Sequence, residues 1–285
     1  MSGPLLVTGG SGFLGRAILR TAEPPVVATH LTSSAAPSPG AEWMRLDVRD
    51  WAAVERAFAE VGPAAVIHTA YRKDEPDASD TNAVGSANVA RAAADAGARL
   101  VHVSTDLVFD GRATRPYTEH DEPIPATPYG RTKLEGERAV RASQPNALVV
   151  RTSLMVGGSE PGRQERLVLA AARGELDIAF FEDELRSPLL VGDLAAALVE
   201  LAGRGESGLL HVAGPEAVSR YELARLIAAA HGLPPERLRR GRLVGSGLER
   251  PANCVLDSSR ARALLRTPIR GVSELRPATA DPARP

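Results

Sequence analysis

Cysteine is almost absent from this sequence, and its scarcity excludes a scaffold held together by disulfides. The 285 residues contain one cysteine, Cys254, so no disulfide can form within the chain. We expect Cys254 to be a packed thiol and not a nucleophile. Because chains without disulfides are typical of reducing compartments, the predicted location is the cytoplasm.

Charge of one sign and long apolar runs are also missing. The net charge is −1, and lysines and arginines are scattered among the acidic residues, so no basic stripe predicts contact with nucleic acid or a membrane surface. No run of about eighteen apolar residues predicts a membrane span, and no signal peptide is expected. The six histidines lack metal-ligand spacing. Nucleic-acid, membrane and metal-dependent roles are therefore not expected.

What the sequence does contain is an alternation of short apolar runs with helical stretches. Continuous apolar strands that alternate with helices are typical of a parallel sheet covered on both faces. We therefore predict an α/β fold with a doubly wound parallel sheet. The predicted strands are 4–7, 26–28, 43–46, 65–67, 100–103 and 148–150, and the predicted helices are 13–22, 50–60, 79–96 and 126–144.

After residue 151 the alternation becomes irregular. Helices are predicted at 163–173, 192–203 and 219–231, with pieces of strand near 177–180 and 208–212. We predict a dinucleotide-binding domain over 1–151, a smaller C-terminal substrate lobe over 152–276 that interleaves with the main sheet, and a loose tail over 277–285.

A glycine-rich turn follows the first predicted strand and opens the first predicted helix. It reads TGGSGFLG at 8–15, so Gly9, Gly12 and Gly15 stand three residues apart. In dinucleotide-binding folds such glycines allow a tight turn, close approach of the backbone to a pyrophosphate and close packing of the helix. The strand–turn–helix context favours this interpretation over an ordinary glycine-rich turn.

The second predicted strand ends where such folds hold the adenosine ribose. An acidic residue there binds the 2′-hydroxyl of NAD, but the segment 29–34 reads THLTSS and contains none. Its hydroxyls would tolerate a 2′-phosphate, although the segment has no arginine to bind one. Arg16, just after the turn, is a candidate for that contact. We predict a preference for NADPH, with NADH as the alternative, of roughly five- to thirtyfold in affinity.

Asp47 stands at the carboxyl end of the third predicted strand, in the segment LDVRD at 46–50. Its carboxylate is a candidate acceptor for the adenine amino group. The alternative is that Asp47 simply belongs to the start of the next helix. In that case Asp50 is the better candidate for the N-cap, because it directly precedes Trp51.

Tyr129 and Lys133 are candidates for a catalytic pair. They are four residues apart, so they share one face of the helix that Thr127 and Pro128 are expected to begin. A neighbouring ammonium, an oxidised nicotinamide and a helix N-terminus would each lower the pKa of a phenol. Such a phenol suits a general acid that protonates a carbonyl oxygen as hydride arrives at carbon. The same spacing also occurs on ordinary exposed helices.

Hydroxyl side chains end the fifth predicted strand. The letters VHVSTD at 101–106 place Ser104 and Thr105 where parallel sheets bind their ligands. Thr105 is a candidate to hold a substrate carbonyl or to orient Tyr129, whereas Ser104 has the alternative of capping a turn.

Taken together, these motifs resemble the extended short-chain dehydrogenase/reductases, and within them the dTDP-4-dehydrorhamnose reductase family. The matching letters span nearly the whole chain: TGGSGFLG at 8–15, LDVRD at 46–50, VIHTAY at 66–71, TNAVGSANVA at 81–90, VHVSTDLVFDG at 101–111, PYTEHDEPIPATPYGRTKLEGE at 116–137, RTS at 151–153 and RPANCVLD at 250–257. The block from 101 to 137 is the most specific. The resemblance implies a Rossmann fold and reduction of a 4-keto sugar nucleotide, such as a dTDP-4-keto-6-deoxyhexose.

The resemblance also implies roles for individual residues. The catalytic residues would be Thr105, Tyr129 and Lys133, with Lys133 also binding the nicotinamide ribose. Asp106, Arg186 and Arg250 would join Thr105 on the substrate side, and the two arginines are candidates for binding a diphosphate or, equally, for being solvated loop residues. The residues implied for the cofactor cleft are Thr8, Gly9, Gly12, Phe13, Leu14, Gly15, Thr29, His30, Asp47, Val48, Ala70, Tyr71, Asn82, Ser104, Tyr129 and Lys133.

Three departures from the family pattern concern the substrate. Leu107 stands where the family usually has tyrosine, and 72–76 and 157–166 differ from the usual letters. Leu107 also replaces the glutamate of the related dehydratases. An alternative role is that of a non-catalytic, cofactor-binding partner subunit. The regulatory subunit of methionine adenosyltransferase, which resembles the same family, is the example. A homodimer through the helices at 79–96 and 126–144 is expected.

Overall fold

A computed structural model of the chain describes residues 3–32, 40–73 and 78–275. Its strands are β1 Leu5–Thr8, β2 Val26–His30, β3 Ala41–Arg45, β4 Ala65–His68, β5 Arg99–Thr105, β6 Leu148–Thr152, β7 Met155–Val156, β8 Ala179–Phe181, β9 Leu185–Arg186, β10 Leu189–Leu190, β11 Gly208–His211, β12 Val218–Ser219 and β13 Arg239–Gly241. Its α-helices are α1 Phe13–Thr21, α2 Trp51–Val61, α3 Gly85–Asp95, α4 Pro128–Ser143, α5 Arg163–Ala172, α6 Val191–Ala202, α7 Arg220–Ala230 and α8 Ser259–Leu264.

The central sheet has seven strands within the described residues, in the order β11-β6-β5-β4-β1-β2-β3. Every neighbouring pair in it is parallel. The predicted doubly wound parallel sheet is therefore confirmed. The chain winds outward from β1 in both directions, and the strand order reverses beside β1. In such sheets the ligand cleft lies at this reversal, outside the carboxyl ends of the strands.

The sheet is covered on both faces because its strands are apolar on both faces. Leu5 and Val7 of β1 belong to a core built with α1 and α6, whereas Leu6 between them belongs to a core built with α2 and α3. Successive side chains of a strand point to opposite faces. A strand buried on both sides therefore reads as the continuous apolar run that predicted it.

Two predicted caps fix where helices begin. The side chain of Asp50 accepts a hydrogen bond from the backbone N–H of Ala53 at 3.1 Å, so Asp50 is the N-cap of α2, as predicted. Thr127 caps α4 by accepting from the N–H of Gly130 at 3.1 Å, and Pro128 is the first helical residue. The predicted helix over 79–96 is instead a π-helical turn, Asp80–Val84, that continues into α3.

The second half of the chain contributes both to the main sheet and to a separate small core. Strand β11 extends the central sheet, and α6 packs on α1. Helices α5 and α7 form their own apolar cluster with β8. The boundary at residue 151 stays a prediction, and 276–285 lies outside the described residues. No helix in the described ranges is long and apolar enough to cross a membrane.

Candidate active site

A continuous cleft follows the carboxyl ends of the central strands. Its first section runs along β1, β2 and the segment after β3, and its second section lies beneath α4 at the end of β5. The third is a cavity of about 540 Å³ between α4 and the second half of the chain. Tyr71 lines all three sections and is 53% exposed.

The glycine-rich turn forms the floor where the first two sections meet. Gly9 has a φ of +72°, which glycine adopts without strain. A Cβ at Gly15 would overlap the carbonyl oxygen of Gly9, whereas a Cβ at Gly12 would have only that oxygen within 4 Å, at 3.1 Å. The backbone at Gly12 is thus open toward the cleft at the N-terminus of α1. This cradle fits a pyrophosphate, whose charge the helix N-terminus would stabilise.

Most residues predicted for the cofactor cleft line it, but three side chains have other partners. Thr8 is buried and its hydroxyl lies 2.6 Å from Nδ1 of His68. The buried amide of Asn82 bonds the backbone of Arg72 and the hydroxyl of Thr132. Thr29 accepts from the N–H of Gly9 at 3.3 Å. The side chains of Thr8 and Asn82 thus hold neighbouring strands and loops together, and Thr29 supports the turn; a cofactor contact of Thr8 and Asn82 stays a prediction.

Asp47 lines the first section together with Leu46 and Val48. Arg49 donates to both of its carboxylate oxygens, at 2.9 Å and 2.8 Å. This hydrogen bonding holds the pKa of Asp47 below its usual value. The carboxylate therefore stays ionised at the edge of the cleft, where an amino group would find an acceptor.

Tyr129 and Lys133 lie on the first two turns of α4 and both line the second section. Lys133 is 2% exposed, and its Nζ donates to the carbonyl oxygen of Val103 in β5 at 2.8 Å. Burial lowers the pKa of Lys133 to about 8. Burial, and then the charges of Tyr71 and Asp106, raise the pKa of Tyr129. The expected lowering is not found in the protein alone, and a raised pKa keeps the phenol protonated.

Ser104, Thr105 and Asp106 form the end of β5 and the turn that follows it. The hydroxyl of Thr105 donates to Asp106 at 3.1 Å, and Ser153 donates to the other carboxylate oxygen at 2.7 Å. Thr105 and Asp106 line the third section, next to Tyr129. The hydroxyl of Thr105 is therefore oriented by a buried carboxylate at the point where the second and third sections meet.

Several arginines surround the third section. The predicted pair, Arg186 and Arg250, both line it and both bond Oε1 of Glu184, at 3.1 Å and 3.0 Å. Arg186 is 3% exposed, so it is a buried residue and not a solvated one. The first residues of α5 and α7, Arg163 and Arg220, line the same section and were not predicted. The wall is thus cationic, with fewer carboxylates than guanidinium groups.

Comparison with known proteins identifies the family to which this chain belongs. The family described as the RmlD substrate binding domain matches residues 3–280. The chain belongs to the RmlD family of extended short-chain reductases. The dTDP-4-dehydrorhamnose reductase of Mycolicibacterium smegmatis is 36% identical over 284 residues, which cover 95% of this chain and 83% of that protein. Methionine adenosyltransferase 2 subunit beta of Bos taurus is 33% identical over 297 residues, which cover 95% and 86%.

Solved structures agree with the family assignment. A hypothetical dTDP-4-dehydrorhamnose reductase from Sulfolobus tokodaii has a TM-score of 0.79 and 31% identity, over 94% of this chain and 96% of that one. The dTDP-4-dehydrorhamnose reductase of Bacillus anthracis, in complex with NADP, has a TM-score of 0.82 over 96% and 97%. At 24% identity, the second shows the shared fold alone.

A buried ion pair supports the active site of this RmlD-family chain from below. Glu137 stands one turn after Lys133 on α4, and Arg151 of β6 donates to both of its oxygens, at 3.0 Å and 2.7 Å. Ser104 donates to the same carboxylate at 2.5 Å. The pair ties α4, β5 and β6 together. Its spacing from Tyr129 and Lys133 would have identified Glu137 in the sequence, but Arg151 carries no such signal.

The loop 157–162 of this RmlD-family chain covers the glycine-rich turn. A Cβ at Gly158 or at Gly162 would lie 2.5 Å or 3.0 Å from the ring of Phe13, respectively. Phe13 therefore contacts the second half of the chain at the first residue of α1. The predicted departure from the family pattern at 157–166 falls on this cover, whereas 74–76 of the other departure lies outside the described residues.

Proposed function

We propose that the chain is an NADPH-dependent reductase of a 4-keto sugar nucleotide, with a dTDP-4-keto-6-deoxyhexose such as dTDP-4-dehydrorhamnose as its substrate. One observation carries the proposal. Thr105 and Tyr129 stand where a cleft section with a pyrophosphate cradle meets a cavity lined by arginines. A carbonyl between them would have a proton donor on one side and a route to the cofactor on the other.

When bound, NADPH supplies the hydride that reduces the carbonyl carbon. The residues of the chain do the rest. On substrate binding, the hydroxyl of Thr105 turns from Asp106 to the carbonyl oxygen and donates the hydrogen bond that positions it. Tyr129 is protonated because its pKa is raised, and it transfers its phenolic proton to that oxygen. The ammonium of Lys133 stabilises the phenolate that remains.

The residues around the third section suit a sugar nucleotide. Guanidinium groups bind phosphate oxygens through two parallel hydrogen bonds, and Arg186, Arg220 and Arg250 line this cavity. Leu107 lines the same cavity, at the position of the glutamate that the related dehydratases carry. Without that second acid the site favours simple reduction over elimination of water.

The test is the variant Tyr129→Phe, which keeps the ring and removes the proton donor. We expect turnover of dTDP-4-dehydrorhamnose with NADPH to fall to background while the affinity for NADPH changes less than about twofold. A matched control is Tyr221→Phe, which removes the hydroxyl of a half-buried tyrosine in α7. Full activity of the Tyr129→Phe variant would refute this mechanism.

A second candidate is a non-catalytic, cofactor-binding subunit, favoured by the similarity to methionine adenosyltransferase 2 subunit beta. A panel of keto-sugar nucleotides and simple carbonyls with NADPH and NADH separates the two. No oxidation of either cofactor, together with co-purification of a partner enzyme, would support the second candidate.

We also propose a homodimer in the cytoplasm. Val84, just before α3, is 49% exposed, and Ala94 of the same helix is exposed, which leaves apolar surface for a second copy of α3 and α4. Cys254 is a free, buried thiol whose pKa is raised to about 12 by burial, as suits a thiol that stays reduced. Light scattering should give twice the 30.0 kDa of one chain.

A further inference from the structure

The end of β2 and the residues directly after it carry no side chain suited to bind a 2′-phosphate. His30, Leu31 and Thr32 line the first section of the cleft, where a dinucleotide-binding fold holds the adenosine ribose. None of the three is acidic, and none is an arginine or lysine. A cofactor with a 2′-phosphate would need a cation from another element.

The neighbouring strand supplies one. Strand β3 runs parallel to β2, and its last residue, Arg45, is the register partner of His30. Paired residues of adjacent strands point to the same face. Nε of Arg45 donates to the carbonyl oxygen of Leu31 at 3.3 Å. That is the guanidinium's one hydrogen bond within the described ranges, and the side chain is exposed.

Two further observations concern the surroundings of this guanidinium. The charge of Arg45 contributes to the lowered pKa of Asp47, which forms another part of the same section. Leu31, whose carbonyl oxygen Arg45 bonds, also lines that section, so Arg45 lies at the edge of the adenosine end. Nδ1 of His30, the register partner of Arg45, is buried and has no hydrogen-bond partner among the residues that the structure describes.

Of the other nearby cations, two are engaged elsewhere and two follow a different strand. Arg49 forms two hydrogen bonds to Asp47. Arg16 donates to the carbonyl oxygen of Ser11 at 2.5 Å and pairs with Glu160 at 3.7 Å. Arg72 and Lys73 also line the first section, but they follow β4, which lies two strands away from β2 in the sheet. Arg45 is thus the cation whose position and remaining N–H groups suit a phosphate at the end of β2.

We propose that Arg45 binds the 2′-phosphate of the adenosine ribose, so that β3, and not the loop after β2, makes the chain selective for NADPH. The inference rests on the proposed function, because it concerns the cofactor of that same site. Nη1 and Nη2 of Arg45 offer the bidentate geometry that phosphate oxygens accept. Its bond to Leu31 holds the side chain in place.

The experiment is calorimetric titration of the wild-type protein and of Arg45→Ala with two pairs of ligands at one ionic strength. The pairs are NADPH with NADH, and adenosine 2′,5′-bisphosphate with adenosine 5′-monophosphate. In the variant we expect the affinity for NADPH and for the bisphosphate to fall about tenfold, and the affinity for NADH and the monophosphate to change less than about twofold. The charge-reversing variant Arg45→Glu should prefer NADH.

The control is Arg56→Ala, which removes an exposed arginine from α2 and should change no affinity. Equal losses for both members of a pair in Arg45→Ala, or no loss at all, would overturn the role of Arg45. Those results leave the proposed function standing, since reduction of the keto sugar with either cofactor is measured separately. A wild-type protein that binds neither dinucleotide would overturn both proposals.

Discussion

Replacing Glu137 by glutamine should destabilise the fold strongly, because it leaves Arg151 charged and uncompensated inside the sheet. The two side chains are 3% and 2% exposed. Glutamine has nearly the same shape as glutamate, so the change removes the charge and little packing. Breaking a buried pair by removing one partner costs about 3–5 kcal/mol.

The size of that cost sets the expected change in melting temperature. An unfolding entropy of about 2.1 cal/mol/K per residue gives about 0.6 kcal/mol/K for 285 residues. The expected decrease is therefore about 5–8 °C, measured by calorimetry at pH 7. A second consequence is electrostatic. The charge of Glu137 raises the pKa of Lys133, so the variant should lose activity at a lower pH than the wild type.

Two comparisons isolate the burial of the charge as the cause. Glu222→Gln makes the same substitution in an exposed pair with Arg225, whose side chains are 47% and 48% exposed, and should cost at most about 1 kcal/mol. The double variant Glu137→Leu with Arg151→Met removes both charges and should regain most of the lost stability. If Glu137→Gln melts within about 2 °C of the wild type, as the control should, the reasoning fails.

Two further predictions concern the glycine-rich turn and the catalytic lysine. Gly15→Ala should weaken cofactor binding and lower the melting temperature, because the new Cβ overlaps the Gly9 carbonyl oxygen; a calorimetric titration in which NADPH binds unchanged would contradict the role of the turn. The rate should fall above about pH 8, where Lys133 loses its proton, and a flat profile of kcat from pH 7 to 9.5 would contradict its role. The folded pKa of about 8 lies below the unfolded value of about 10.4. The buried ammonium therefore destabilises the fold below pH 8, and this cost declines as the pH rises toward 10.4.

Most of the fold was predictable because the central strands are apolar on both faces. The carboxyl ends of these strands were less predictable. The pattern stops at Val150, whereas β6 continues through Arg151 and Thr152, and β5 continues through Ser104 and Thr105. These polar residues extend the strands because their backbones still pair with the neighbouring strand, and the side chains of Ser104, Thr105 and Arg151 find buried partners. Polar strand ends are therefore where sequence patterns end too early and where the site begins.

The candidate site was predictable only where it follows one element. Spacing along α4 joins Tyr129 to Lys133, and letters along β5 mark Thr105. Arg220 lines the cleft because of where α7 is placed, and Arg45 meets Leu31 at its edge through strand register. No local pattern reveals either position. The short strands β7, β9, β10, β12 and β13 were missed for a related reason, since two or three residues are too few to show a period.

The entry of β11 into the central sheet has a consequence for how the chain can be divided. A fragment that ends at residue 151 would lose β11 and expose the backbone groups of β6 as an unprotected edge, open to pairing with other chains. It would also lose α6, whose Leu194, Leu198 and Leu201 cover one face of the sheet. During synthesis the first half therefore emerges with a bare apolar face and an open edge. It stays prone to aggregation until residues 191–211 have followed it.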